Sequence, residues 1–167
     1  RDNFSILSRK TEEYMEYFEF WARIQNEMVI YCESKNRDRI FNIRKQFGLE
    51  DKTTIYEIDD FKNIEKDIFN KMEKISDDSC FTRFRYYENA LSNQSLYDYI
   101  MFLKWWTLQD AAKHYSGDTM MAWIDFGYNK GGDYYLRCKE FDYLWDYDFA
   151  DKINLFCLTN PDNVEII

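Results

Sequence analysis

The chain has 167 residues, 46% hydrophobic and 20% aromatic, enough apolar material for one domain with a single sizeable core. A net charge of −9 and a pI near 4.7 argue against nucleic acid as a partner, because no basic surplus exists to release counterions from a phosphate backbone. No run approaches the roughly 18 apolar residues of a membrane span, and interleaved aromatics with five Gly and one Pro argue against disorder.

In chain order, Tyr14, Phe18, Trp21 and Ala22 recur at helical spacing between Lys10 and Gln25, with Thr11 as an N-terminal cap. The apolar run from Glu27 to Glu33 reads as a buried strand. Ile40, Ile43 and Phe47 restore the helical period from Ser34, and Gly48 is placed to end that helix. Thr53 to Asp59 alternates β-branched and aromatic residues with polar ones and predicts a second strand, followed by a helix from Phe61 to Ile75. Ser76 to Ser95 has no sustained period and predicts a loop, a candidate lid, with one short helix around Phe81 to Tyr87.

Leu96, Tyr99, Ile100, Leu103, Trp106 and Ala111 trace a long helix reaching His114. It feeds an apolar run, Met120 to Ile124, that predicts a strand ending on Asp125 at a Gly127 turn. Open α/β sheets present ligand-binding groups at such carboxyl ends. Asn129 to Asp133 reads as a turn, Phe141 to Asp151 is dense in Asp, Tyr and Trp, and Ile153 to Leu158 predicts a last strand. Strands alternating with helices imply right-handed crossovers and a mostly parallel sheet.

Asp125-Phe126-Gly127 matches the metal-binding tripeptide of protein kinases, but no glycine-rich loop, lysine-bearing strand or HRD-like loop accompanies it. A Walker A loop and a G-x-S-x-G elbow are also absent, and His114 is the single histidine. Any chemistry should therefore rest on carboxylates and a metal. Asp142, Asp146, Asp148 and Asp151 lack the spacing of a calcium loop and read as a solvated acidic face. The cysteines Cys32, Cys80, Cys138 and Cys157 form no CxxC pair. On pattern alone Asp125 can equally cap a turn, pair with a cation or serve a site.

WIDFGYNKGG, with Tyr97 to Lys104 before it and Tyr147 to Ile153 after it, resembles the HtrL/YibB family of bacterial proteins. Looser matches at Arg9 to Tyr14, Met28 to Tyr31 and Ile43-Arg44 extend the resemblance over nearly the whole chain. It implies a three-layer α/β/α open, mostly parallel sheet, similar to GT-A (nucleotide-diphospho-sugar transferase-like) folds, forming one domain over 1–167 that is incomplete at both ends. The implied activity is glycosyltransferase-like transfer of a sugar from a nucleotide-sugar donor to a glycan acceptor, in lipopolysaccharide or other surface-glycan biosynthesis. The alternative is a non-catalytic nucleotide-sugar- or glycan-binding module or assembly partner.

By that resemblance Asp125 takes the place of the acid of a DxD-like motif, bridging a divalent metal, Mn or Mg, to the donor diphosphate, although Gly127 stands where a second acid is usual. Lys104 and Arg44 are candidates to face the phosphates, the alternative for both being a solvated helical charge. The catalytic base is not identified. The implied setting is cytoplasmic, at the inner face of the bacterial inner membrane, with room for peripheral membrane association.

Overall fold

The computed structural model describes residues 11–82, 94–128, 142, 144–148, 150 and 152. Helix α1 (Thr11–Trp21) buries Met15, Phe18 and Trp21 on one face and carries Glu12 and Glu13 in its first turn, where the helix dipole favours negative charge. Strand β1 (Met28–Cys32) follows, then helix α2 (Ser34–Gln46), which turns Ile40 and Ile43 inward. Gly48 ends this helix in the left-handed region at φ 68°, its N–H donating to the Lys45 carbonyl at 2.9 Å.

A one-turn 3-10 helix (Glu50–Lys52) leads into strand β2 (Thr53–Glu57). The strands pair in parallel from Met28↔Thr53 to Cys32↔Glu57, so β1, α2 and β2 form one crossover unit. A second 3-10 turn (Phe61–Asn63) precedes helix α3 (Lys66–Asp77), where the sequence suggests one continuous helix from Phe61. The interruption has a local cause: the Asp60 carboxylate accepts from Lys62 N–H at 3.0 Å and caps the short turn by itself. Helix α4 (Ser79–Thr82) is a single turn, and helix α5 (Ser95–Ala112) closes the regular structure of the described residues.

Two apolar clusters result. The first joins α1, β1 and α2 around Phe18, Trp21, Ile30 and Ile40. In the second, Phe69 of α3 meets Tyr99 and Leu103 of α5. The Tyr99 phenol is fully buried and satisfied, donating to the Phe61 carbonyl at 2.9 Å and accepting from Glu65 N–H at 3.0 Å. Helix α5 buries Tyr99, Leu103, Thr107 and Ala111, a line of four-residue steps narrower than the stripe read from sequence, and leaves Leu96 and Ile100 exposed.

The described residues are thus a mixed α/β fold with a two-stranded parallel sheet; the wider GT-A-like sheet goes beyond it. Met120 to Asp125, expected as a strand, has no ladder hydrogen bonds. It is held through side chains instead: Ile124, Phe126 and Tyr128 pack against the first cluster. The expected turn at Asn129 to Asp133, the strand at Ile153 to Leu158 and the helical stretch beyond Thr82 lie outside the described residues. No helix among the described residues is long and apolar enough to cross a membrane.

Candidate functional site

The segment that carries Asp125 is fixed by the residue after it. Phe126 stacks on Phe18 with ring centroids 4.4 Å apart, and its carbonyl accepts from the Trp21 indole N–H at 3.3 Å. Tyr128 N–H closes a turn on the Asp125 carbonyl at 2.8 Å. Two aromatic residues of α1 therefore hold an otherwise irregular stretch in place. The Asp125 side chain is left 61% exposed, while that of Lys104, on α5, is 23% exposed.

These two sequence candidates come together: Lys104 Nζ donates to Asp125 Oδ2 at 2.6 Å. The same ammonium lies 5.8 Å from the centroid of the Trp123 ring, within cation–π range. An ion pair with one partner this exposed contributes about 1 kcal/mol or less, so a competing anion can draw Lys104 away at small cost. A lone carboxylate already bonded to an ammonium, with Gly127 in place of a second acid, does not fit a resident divalent metal. Among the described residues no group of three or more His, Cys, Asp or Glu stands close enough to hold an ion.

Arg44 is placed elsewhere, and it is neither solvated nor turned toward Asp125. It is fully buried, and each of its five N–H donors has its own acceptor. Nε donates to Thr53 Oγ1 at 2.9 Å; Nη1 donates to the carbonyls of Ala22 at 2.7 Å and Ile24 at 2.5 Å; Nη2 donates to those of Asn26 at 3.0 Å and Lys52 at 3.3 Å. One side chain thus ties the α1–β1 connection to the α2–β2 connection. Burial pushes its guanidinium down to about 10.

A cavity of about 910 Å³ lies between β1 and the Asp125 segment. Its wall includes Trp21, Trp123, Trp145 and Tyr147, and its charged lining among the described residues consists of Glu27, Glu33 and Asp125. Neither Lys104 nor Arg44 lines it. Trp145 is docked here through Asn26, whose side-chain amide donates to the Trp145 carbonyl at 2.9 Å and accepts from Trp145 N–H at 2.8 Å. A Gln25 to Asp142 hydrogen bond at 2.9 Å reinforces it. Asn26 carried no signal in the sequence, since an isolated Asn after a helix looks like any turn residue.

A second polar group, also missed by sequence reasoning, sits farther along α5. The Tyr31 phenol donates to Asp110 Oδ2 at 2.9 Å, and Lys113 bonds the other oxygen at 2.9 Å. Tyr31 stacks on Tyr56, which in turn stacks on His114. The lone histidine is thereby part of an aromatic column between sheet and helix.

A family described as a bacterial protein of unknown function (HtrL_YibB) matches residues 1–165. Protein HtrL of Escherichia coli (strain K12) is 30% identical over 158 residues, an alignment covering 91% of this chain and 52% of HtrL. The chain therefore spans about half the length of that curated relative. No solved structure matches it. With the family pattern running from its first residue to within two of its last, the chain belongs to the HtrL_YibB family.

Proposed function

We propose that the chain is part of a GT-A-like glycosyltransferase that moves a sugar from a nucleotide donor to a surface-glycan acceptor such as lipopolysaccharide, on the cytoplasmic side of the membrane. The observation that carries this reading is the Lys104–Asp125 pair, exposed on the acid side, beside Trp123 and pinned from behind by Phe126. An ammonium held loosely by a carboxylate can exchange that partner for a diphosphate oxygen. Asp125 is then free to accept a hydrogen bond from a hydroxyl of the donor. In this reading Lys104 takes the phosphate charge and Arg44 acts only by holding the loops in place.

The cavity itself favours a second reading, a module that binds a nucleotide sugar or glycan without turnover. Its described lining offers three carboxylates and several aromatic faces with no Lys or Arg, which suits sugar hydroxyls better than phosphate. A thermal-shift panel of UDP-, GDP-, CMP- and dTDP-sugars, with and without Mn²⁺ and on the full-length protein, tests the first reading. A true donor at a hundred times its Kd adds about 2.7 kcal/mol of stability. No response to any donor would contradict it, and a donor response without transfer to extracted glycans would select the second.

A further inference from the structure

Lys104 meets Asp125 and Trp123 from outside the cavity that both of them line. Its ammonium lies 2.6 Å from Asp125 Oδ2 and 5.8 Å from the centre of the Trp123 ring, yet Lys104 is not part of the cavity wall. The cation that can take a phosphate therefore stands at the rim, and the acidic and aromatic surface lies within. A ligand with an anionic end and a hydroxyl-rich end fits this arrangement one way round. Its anion stays out with Lys104, and its hydroxyls go in.

The interior suits a sugar ring. Its volume of about 910 Å³ falls inside the roughly 300–1,000 Å³ of small-molecule sites. Trp123 is 43% exposed and offers ring surface to the apolar C–H face of a pyranose. Ionised carboxylates only accept hydrogen bonds, and sugar hydroxyls can donate them.

The charge of the lining decides which sugars suit it. Among the described residues that charge comes from Glu27, Glu33 and Asp125, with no Lys or Arg. Glu27 is bonded by the neutral Tyr115 phenol. Glu33 pairs with Lys35 at 2.5 Å, but the Lys35 side chain is 68% exposed and lies outside the wall. A carboxylate carried in on a sugar would give up water, find no cation of the lining in exchange, and face like charge. A hydroxymethyl group in the same place meets neither cost.

We propose that the donor lies with its diphosphate at the Lys104 rim and its sugar inside the cavity, and that this sugar is an uncharged hexose and not a uronic acid. The inference rests on the donor reading above and adds to it the orientation of the donor and the class of its sugar.

Calorimetry of the full-length protein tests it with UDP-glucose against UDP-glucuronic acid and GDP-mannose against GDP-mannuronic acid, pairs that differ only at C6. Salt of about 0.15 M, with a Debye length of about 8 Å, suppresses the effect of distant charge. The neutral member of at least one pair is expected to bind about tenfold or more tightly than its uronate. In Glu27→Gln/Glu33→Gln that ratio is expected to fall about threefold or more, through a gain in uronate binding. Asp59→Asn/Asp77→Asn, which removes two exposed acids outside the cavity wall, is expected to leave the ratio as it is. Uronate binding as strong as that of the neutral sugar overturns the inference and leaves the donor reading standing, as does an equal fall of the ratio in both double variants. Binding of none of the four donors overturns both.

Discussion

Arg44 shows how a charged residue can be structural without an acid partner. Five acceptors, four of them carbonyls from two connections, replace the water that burial removes. Arg44→Leu strands those carbonyls and is expected to lower stability by roughly 3–5 kcal/mol in denaturant melts. Lys at this position can restore at most three of the bonds. The Tyr31–Asp110–Lys113 group carries the pH dependence. Lys113 first, and Tyr31 after it, hold the Asp110 carboxyl below its ordinary range. Its contribution is therefore complete above an unfolded value near about 4 and lost as pH falls through the lower folded value. Burial first, and Asp110 next, push the Tyr31 phenol up. That contribution is complete below about pH 10 and lost as pH rises through the folded value. Arg44, pushed down to about 10, acts in the opposite sense on the alkaline side. The readout is thus the difference between the parent protein and Tyr31→Phe, which narrows above pH about 10, while Asp110→Asn flattens the acid limb.

At the scale of elements, β1, β2 and the helices around them were legible because apolar period and length agreed, as at Phe18 and Trp21 in α1 and at Ile40 and Ile43 in α2. Gly48 was readable for the same reason, since a left-handed helix end asks for glycine. No atom lies within 4 Å of a Cβ built at Gly48, so Gly48→Ala should cost only the conformational term of about 1 kcal/mol. The run before Asp125 carried a strand's composition without a strand's partner, and no local pattern reports on who pairs with whom. What holds Asp125 was equally invisible, because the Phe18–Phe126 stack joins residues 108 positions apart in the sequence. Truncating Phe18, fully buried, is expected to cost about 3–5 kcal/mol. Phe126→Ala should cost less stability but release the Asp125 turn, weakening donor binding about tenfold or more by calorimetry.

For the whole molecule, a net charge of −9 and three carboxylates around the cavity leave Lys104 as the described cation nearest Asp125. Lys104 and Asp125, sequence candidates on separate elements 21 residues apart, meet at 2.6 Å; Arg44, the third candidate, lies in the core. The reason is reach: a helix pattern shows which residues are polar but not which loop carbonyls await a buried guanidinium. The HtrL_YibB family pattern covers residues 1–165, while donor binding is the claim that turns this pair into a site. The most direct test is calorimetry of the full-length protein against nucleotide sugars, comparing the parent with Asp125→Asn and Lys104→Met. One donor is expected to bind the parent, and each substitution to weaken that binding at least about tenfold, or about 1.4 kcal/mol, with the melting behaviour little changed. Donor binding of equal strength in all three proteins would contradict it.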